Sequence, residues 1–156
     1  MIKIDEKQHT GIHRFSDLVV PPTQEQLDQL QLATQQLQFD ETINIQFTSG
    51  TTGNPKGTML THHNILNNGY FVGEGIRLTP QDKICISVPL FHCFGMVMGN
   101  LACITHGSTM VYPSAVFNPL ETLKTIHNER CTAAYGVPTM FIATLEHEQF
   151  NEFDLS

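Results

Sequence analysis

Basic residues are scarce in this chain: 8 Lys and Arg stand against 15 Asp and Glu, a formal net charge of −7. They are also scattered, so the positive stripe that a nucleic-acid backbone requires is missing. Cysteine is sparse as well. Cys85, Cys93, Cys103 and Cys131 form no C-x-x-C pair and no secreted-scaffold spacing, and they sit among apolar residues. Reduced core thiols in a cytoplasmic protein are the expectation, and a disulfide framework is excluded. His92 and Cys93 are adjacent, and neighbours on a strand or turn point apart, which argues against a metal or thiol centre there. No apolar run reaches the ~20 residues of a membrane helix. Charges are absent from 84 to 120, yet Pro89, His92, Asn100, His106 and Gly107 interrupt that stretch, so buried strand, loop and helix account for it. The first residues carry Lys3, Asp5, Glu6 and Lys7 without the apolar centre of a signal peptide.

What remains is a chain of 156 residues, 40% hydrophobic and 15% charged, which is enough to bury one core. Its most distinctive segment is Thr48-Ser49-Gly50-Thr51-Thr52-Gly53-Asn54-Pro55-Lys56-Gly57, directly after the strand-like run Ile43-Asn44-Ile45-Gln46-Phe47. Glycines let backbone amides approach an anion, hydroxyls donate to its oxygens, and a lysine adds a mobile point charge. A polyphosphate fits that composition better than an ordinary polar turn does. In an acidic protein, Lys56 and a bound Mg²⁺ must then concentrate the positive potential locally.

This is not the Walker-type loop. That motif places a second Gly five positions after the first, followed by Lys and Ser/Thr at the head of a helix. Here the fifth residue after Gly50 is Pro55, Lys56 precedes Gly57, and the chain continues into the apolar Thr58-Met59-Leu60. The loop is therefore expected to join two strands, with no helix dipole as main anion attractor. It is also expected to be mobile without ATP and ordered with it.

The remaining pattern is α/β. Thr23 and Gln26 spell a capping box that opens an amphipathic, glutamine-rich helix with Leu27, Leu30, Ala33 and Leu37 on one side. Residues 43–48 and 58–60 read as strands, followed by a helix capped near Thr61 and ended by Gly73-Glu74-Gly75. A turn at 79–82 leads to a buried strand over 83–88, and 95–105 carries apolar residues at helical spacing. Strands over 108–112 and 131–135 alternate with helices over 119–128 and 138–146. Alternation at this spacing predicts a largely parallel sheet flanked by helices. The expected organisation is a lead-in segment over 1–41 and a partial domain over 42–156.

Residues 48–57, with their continuation Met59-Leu60-Thr61-His62-His63-Asn64-Ile65, resemble the signature phosphate loop of the adenylate-forming, or AMP-binding, superfamily. Pro89-Leu90-Phe91-His92-Cys93-Phe94-Gly95 is similar to the acid-pocket segment of its acyl-CoA synthetase and luciferase branch. Tyr135-Gly136-Val137-Pro138-Thr139-Met140 resembles the strand-to-helix corner lining that pocket. The resemblance implies part of that family's large N-terminal domain. It further implies activation of a fatty or related carboxylic acid by ATP to acyl-adenylate and pyrophosphate, after which the CoA thiol displaces AMP.

By the same resemblance, Thr48, Ser49, Gly50, Thr51, Thr52, Gly53 and Lys56 bind ATP, with Lys56 on the β/γ-phosphates and Thr52 helping to hold Mg²⁺. His92 is the catalytic-site residue, holding the carboxylate or adenylate near the α-phosphate without acting as base. Phe91, Gly95, Met96, Gly136 and Thr139 line the acid pocket. Pro-Leu-Phe-His-x-x-Gly favours acyl acids over amino acids, because peptide-synthetase domains usually carry an Asp there. The family's later Gly-rich segment ending in Thr-Glu, its ribose-binding Asp and its catalytic Lys have no counterpart here, so the chain alone is expected to be inactive. The competing readings are an inactive module that binds a nucleotide or acyl chain, and a luciferase-like or aryl-acid ligase. Apolar edges left uncovered would favour self-association.

Overall fold

The first long helix starts where its capping residue dictates: Thr23 Oγ1 accepts from the Gln26 N–H, and Gln26 Oε1 accepts from the Thr23 N–H. The computed structural model describes residues 2–4, 7, 10–48 and 53–156. Ser49, Gly50, Thr51 and Thr52 lie outside the described residues, as does the expected mobility of their loop. The chain divides into two units, Met1–Gln38 and Phe39–Ser156. In the first, β1 (Ile2–Lys3) pairs in parallel with β2 (His13–Arg14), and α1 (Phe15–Leu18) and α2 (Gln24–Gln36) follow.

The second unit opens on an antiparallel ribbon, β3 (Thr42–Thr48) with β4 (Lys56–Thr61). A second capping box, Thr61 with Asn64, then starts α3 (His62–Gly75). Strand β5 (Lys83–Ile86) is the centre of a parallel sheet in the order β6-β5-β7, with β6 spanning Thr109–Val111 and β7 spanning Ala133–Tyr135. Between β5 and β6 runs a π-helical segment, Phe94–Leu101, continuing into α4 (Ala102–His106). Helix α5 (Pro119–Glu129) joins β6 to β7, and α6 (Pro138–Leu145) follows β7. The expected parallel α/β arrangement is present. The expected strand over 83–88 pairs only to Ile86; Ser87 and Val88 leave the ladder, although Val88 stays buried.

Alternation along β5 sets the layers. Ile86 packs against Gly99 of the π-helical segment, whereas Cys85 and Ser87 turn to Thr122 of α5. Ile84, Ile86, Val88, Ala102 and Cys103 form the core, with Phe94, Tyr135 and Met140 packed on it. Two glycines one helical turn apart let α3 approach this layer. A Cβ on Gly69 would lie 2.7 Å from Leu101 Cβ, and one on Gly73 would lie 2.3 Å from the His106 ring. That ring in turn stacks on Tyr70 and meets Glu74 Oε1 at 3.1 Å.

One carboxylate ties the sheet's entry together. Asp82 accepts from the Thr79 N–H and hydroxyl and from the Thr132 hydroxyl, each at 2.8 Å. These bonds, the Thr79 hydroxyl's first, hold its pKa below the ordinary carboxylate value. A depressed native pKa contributes stability that is present above the unfolded value and lost as pH falls through the native one. Urea melts of Asp82→Ala should therefore lose less stability than the parent on acidification below about pH 4. Identical acid slopes would contradict this role.

Candidate functional site

β-Branched residues in both strands make the ribbon that brings Thr48 and Lys56 together. Its register pairs Thr48 with Lys56, Gln46 with Thr58, and Asn44 with Leu60, which puts these six residues on one face. The other face carries Ile45 opposite Met59 and Phe47 opposite Gly57. Gly57 has no room for a larger residue without displacement, since its Cβ would lie 3.2 Å from Ile45 Cγ2. Gly53 takes φ +92, a left-handed conformation that glycine adopts without strain. Thr48 Oγ1 reaches the Lys56 carbonyl at 3.5 Å, and Lys56 is exposed, with no partner for its ammonium among the described residues.

The Pro89–Gly95 segment is a tight turn leading into the π-helical segment. The His92 amide donates to the Pro89 carbonyl at 3.2 Å, and the Met96 amide to the His92 carbonyl at 3.0 Å. Gly95 is buried against the Pro89 carbonyl: a Cβ there would lie 2.5 Å from Pro89 O. His92 is exposed, and its Nδ1 accepts from the Phe94 N–H at 3.0 Å. In the neutral ring this bond leaves the proton on Nε2, which can then donate outward.

Two clefts flank this turn. The larger, about 590 Å³, lies at the carboxyl ends of β5 and β6 and is lined by residues 86–91, Tyr112, residues 114–117 and Met140. Ligands of open α/β sheets gather at that end of the strands. The smaller, about 420 Å³, is lined by Leu60, Asn64, Ile65, Asn68, Cys93, Val97 and Met98. Phe91, before His92, therefore lines one cleft and Cys93, after it, lines the other, while His92 itself lines neither.

The predicted residues are dispersed around this turn. Met96 is half-buried and lines neither cleft. Gly136 packs beneath Met140 and Phe141, and Thr139 is exposed while Met140 enters the larger cleft. Tyr112, residues 114–117 and Asn68 line the clefts from outside the three motifs, and the charge-free run from 84 to 120 is the one sequence signal that covers the first two; Asn64 lies in the continuation of the first motif. The cysteines are free thiols: Cys85 and Cys103 are buried, Cys93 and Cys131 half-buried. Burial pushes Cys103 and Cys131 up to about 11, which suits packing and not nucleophilic attack. Among the described residues, no helix is long and apolar enough to cross a membrane.

A profile of the family described as "AMP-binding enzyme" matches residues 3–156. The medium-chain acyl-CoA ligase ACSF2, mitochondrial, of Danio rerio is 42% identical over 155 residues, which are 98% of this chain and 26% of that protein. O-succinylbenzoate coenzyme A synthetase (MenE) from Bacillus subtilis, solved in complex with AMP, shares 33% identity at a TM-score of 0.64, over 70% of this chain and 22% of that one. The N-terminal domain of FACL13 from Mycobacterium tuberculosis has the same fold over 77% of this chain and 30% of its own, with a TM-score of 0.68 at 24% identity. The chain spans about a quarter of the length of the curated relatives it matches.

Proposed function

This chain belongs to the AMP-binding enzyme family, and from that premise we propose that it is the phosphate-loop and acid-pocket part of an acyl-CoA synthetase. The reaction is attack of a carboxylate on the ATP α-phosphate, giving acyl-adenylate and pyrophosphate, followed by transfer of the acyl group to the CoA thiol. The observation that carries this reading is the sidedness of the ribbon. Lys56 lies on the same face as Leu60, four residues further along β4, and Leu60 forms a wall of the smaller cleft. At about 3.3 Å per residue, roughly 13 Å separates them, which suits phosphates at the ribbon's tip and an acid near its base.

Thr48, Gly53 and Lys56 serve the ATP, together with Ser49, Gly50, Thr51 and Thr52, and Mg²⁺ enters with the nucleotide beside Thr52. The hydroxyl-rich, lysine-bearing donor set fits phosphate, and its lack of an N-terminal helix leaves Lys56 as the principal charge. His92, through Nε2, positions the carboxylate or the adenylate; Phe91, Gly95, Met96, Gly136 and Thr139 shape its surroundings directly or through the turn. A fatty acid of medium length is the substrate we favour. Four free thiols suit a reducing compartment, and we place the protein in the cytoplasm.

The test is a chimaera in which this chain replaces the matching segment of the MenE relative, assayed by ATP–pyrophosphate exchange with a series of aliphatic acids. Exchange that depends on an acid supports the reading, and an inert but folded chimaera refutes it. The isolated chain is expected to bind without turnover, so hydroxylamine should trap no acyl-adenylate from it. Phe47 and Met59 stand 73% and 68% exposed on the ribbon's apolar face. Light scattering of the isolated chain should therefore show self-association, and a clean monomer would count against it.

A further inference from the structure

Lys56 is held by its backbone alone. Its exposed ammonium has no partner among the described residues, and Thr48 with Lys56 is the last pair of the β3–β4 ladder. The next pair down, Phe47 with Gly57, is therefore what supports it along the strands. Glycine weakens a strand at such a position, because it has no side chain to pack and more backbone freedom to lose. Strand β4 is also an edge of a two-stranded sheet, where that weakness is greatest. Neighbouring side chains fill the gap. Ile45 Cγ2 lies 3.2 Å from the point a Gly57 Cβ would occupy, and Phe47 Cε1 and Cζ lie 3.5 and 3.7 Å from it. The Phe47 ring thus crosses the ribbon and covers Gly57, the arrangement by which an aromatic side chain supports a glycine on an edge strand. Burial does not account for the ring's position, since Phe47 is 73% exposed.

We infer that Phe47 is a positioning residue for Lys56: its ring, laid across the ribbon onto Gly57, holds the last two strand pairs together and so fixes where Lys56 stands. Phe47 and Gly57 share the face opposite Lys56, so the ring acts through the backbone and does not touch a ligand of the lysine. The hold on the ribbon rests on the geometry above; only its bearing on ATP rests on the function proposed. An exposed phenylalanine without this task would change little when removed, within the small range of ordinary surface substitutions.

The experiment is amide hydrogen exchange of the intact chain without ATP, read by mass spectrometry in samples dilute enough to scatter as a monomer, followed by titration calorimetry with ATP. Phe47→Ala should speed exchange over residues 56–61 about twofold to fivefold and leave β5 and α5 at the parent's rates. That segment carries no substitution, so its rate reports the ring's hold across the ribbon. ATP affinity should fall by a similar factor although Lys56 is untouched. Phe47→Tyr keeps the ring and should retain both properties. Phe47→Val keeps strand propensity and apolar character but is too short to cover Gly57, and it should behave like the alanine variant. The inference is overturned if Phe47→Val matches Phe47→Tyr, if Phe47→Ala exchanges like the parent, or if faster exchange leaves ATP affinity unchanged. A parent chain that binds no ATP would overturn the nucleotide reading by itself, while the exchange rates still decide whether the ring holds the ribbon.

Discussion

Lys56→Ala should weaken ATP binding by about tenfold to a hundredfold, the range expected when one hydrogen bond between charged groups is lost. The side chain sits at the first position of β4, exposed and without a partner among the described residues. Its removal therefore breaks no contact of the fold, and the unfolding free energy without ATP should stay within about 0.5 kcal/mol of the parent. Titration calorimetry with ATP reads the first effect and a melt reads the second. Lys56→Arg should recover part of the affinity, because charge is kept while the point-like ammonium geometry is lost. An unchanged ATP affinity in the alanine variant would remove Lys56 from the site. In the MenE chimaera, the same substitution should slow pyrophosphate exchange at least as much.

Gly95→Ala should have the largest effect on the turn that holds His92. The new Cβ would meet Pro89 O at 2.5 Å and Pro89 C at 2.9 Å. Both are backbone atoms, so no rotamer change relieves the contact and the chain itself must move. Overpacking of this kind costs about 1–3 kcal/mol. The movement should also disturb the Phe94 N–H bond to His92 Nδ1, which fixes the ring's tautomer. Gly75→Ala is the matched control, since nothing lies within 4 Å of its Cβ position. We expect a clearly lowered midpoint and a shifted His92 ring signal for Gly95→Ala, and neither for Gly75→Ala. Equal midpoints for the two variants would show that the turn tolerates a side chain.

Much of this molecule was legible in the chain because the signals were local. Thr23 with Gln26 and Thr61 with Asn64 place two helix starts through side chains three residues apart. Ile43, Ile45 and Phe47 alternate with polar residues, and the apolar Thr58-Met59-Leu60 reads as the strand that returns beside them. The parallel sheet followed from strands and helices alternating at short spacing. Positions inside the site were harder to read. Thr139 and Met140 are neighbours at the head of α6, and only the phase of that helix against β7 decides which one reaches the cleft. The π-helical register over Phe94–Leu101 was equally hidden, because a widened turn leaves the apolar spacing close to that of an α-helix.

By itself the sequence determined that this is an α/β chain of the AMP-binding family, with a Gly- and hydroxyl-rich segment between two strands and thiols kept for packing. Composition, capping pairs, strand alternation and contiguous motifs carry that information within a few residues of one another. The tertiary structure alone decided that Lys56 and Leu60 share a face leading to one cleft, and that Phe91 and Cys93, on either side of His92, line two different clefts. Those facts depend on segments such as 86–91, 112–117 and 140, which meet only when the sheet and its crossovers close. Hydrogen-bond direction and cavity shape are set by that closure, and no local propensity encodes them.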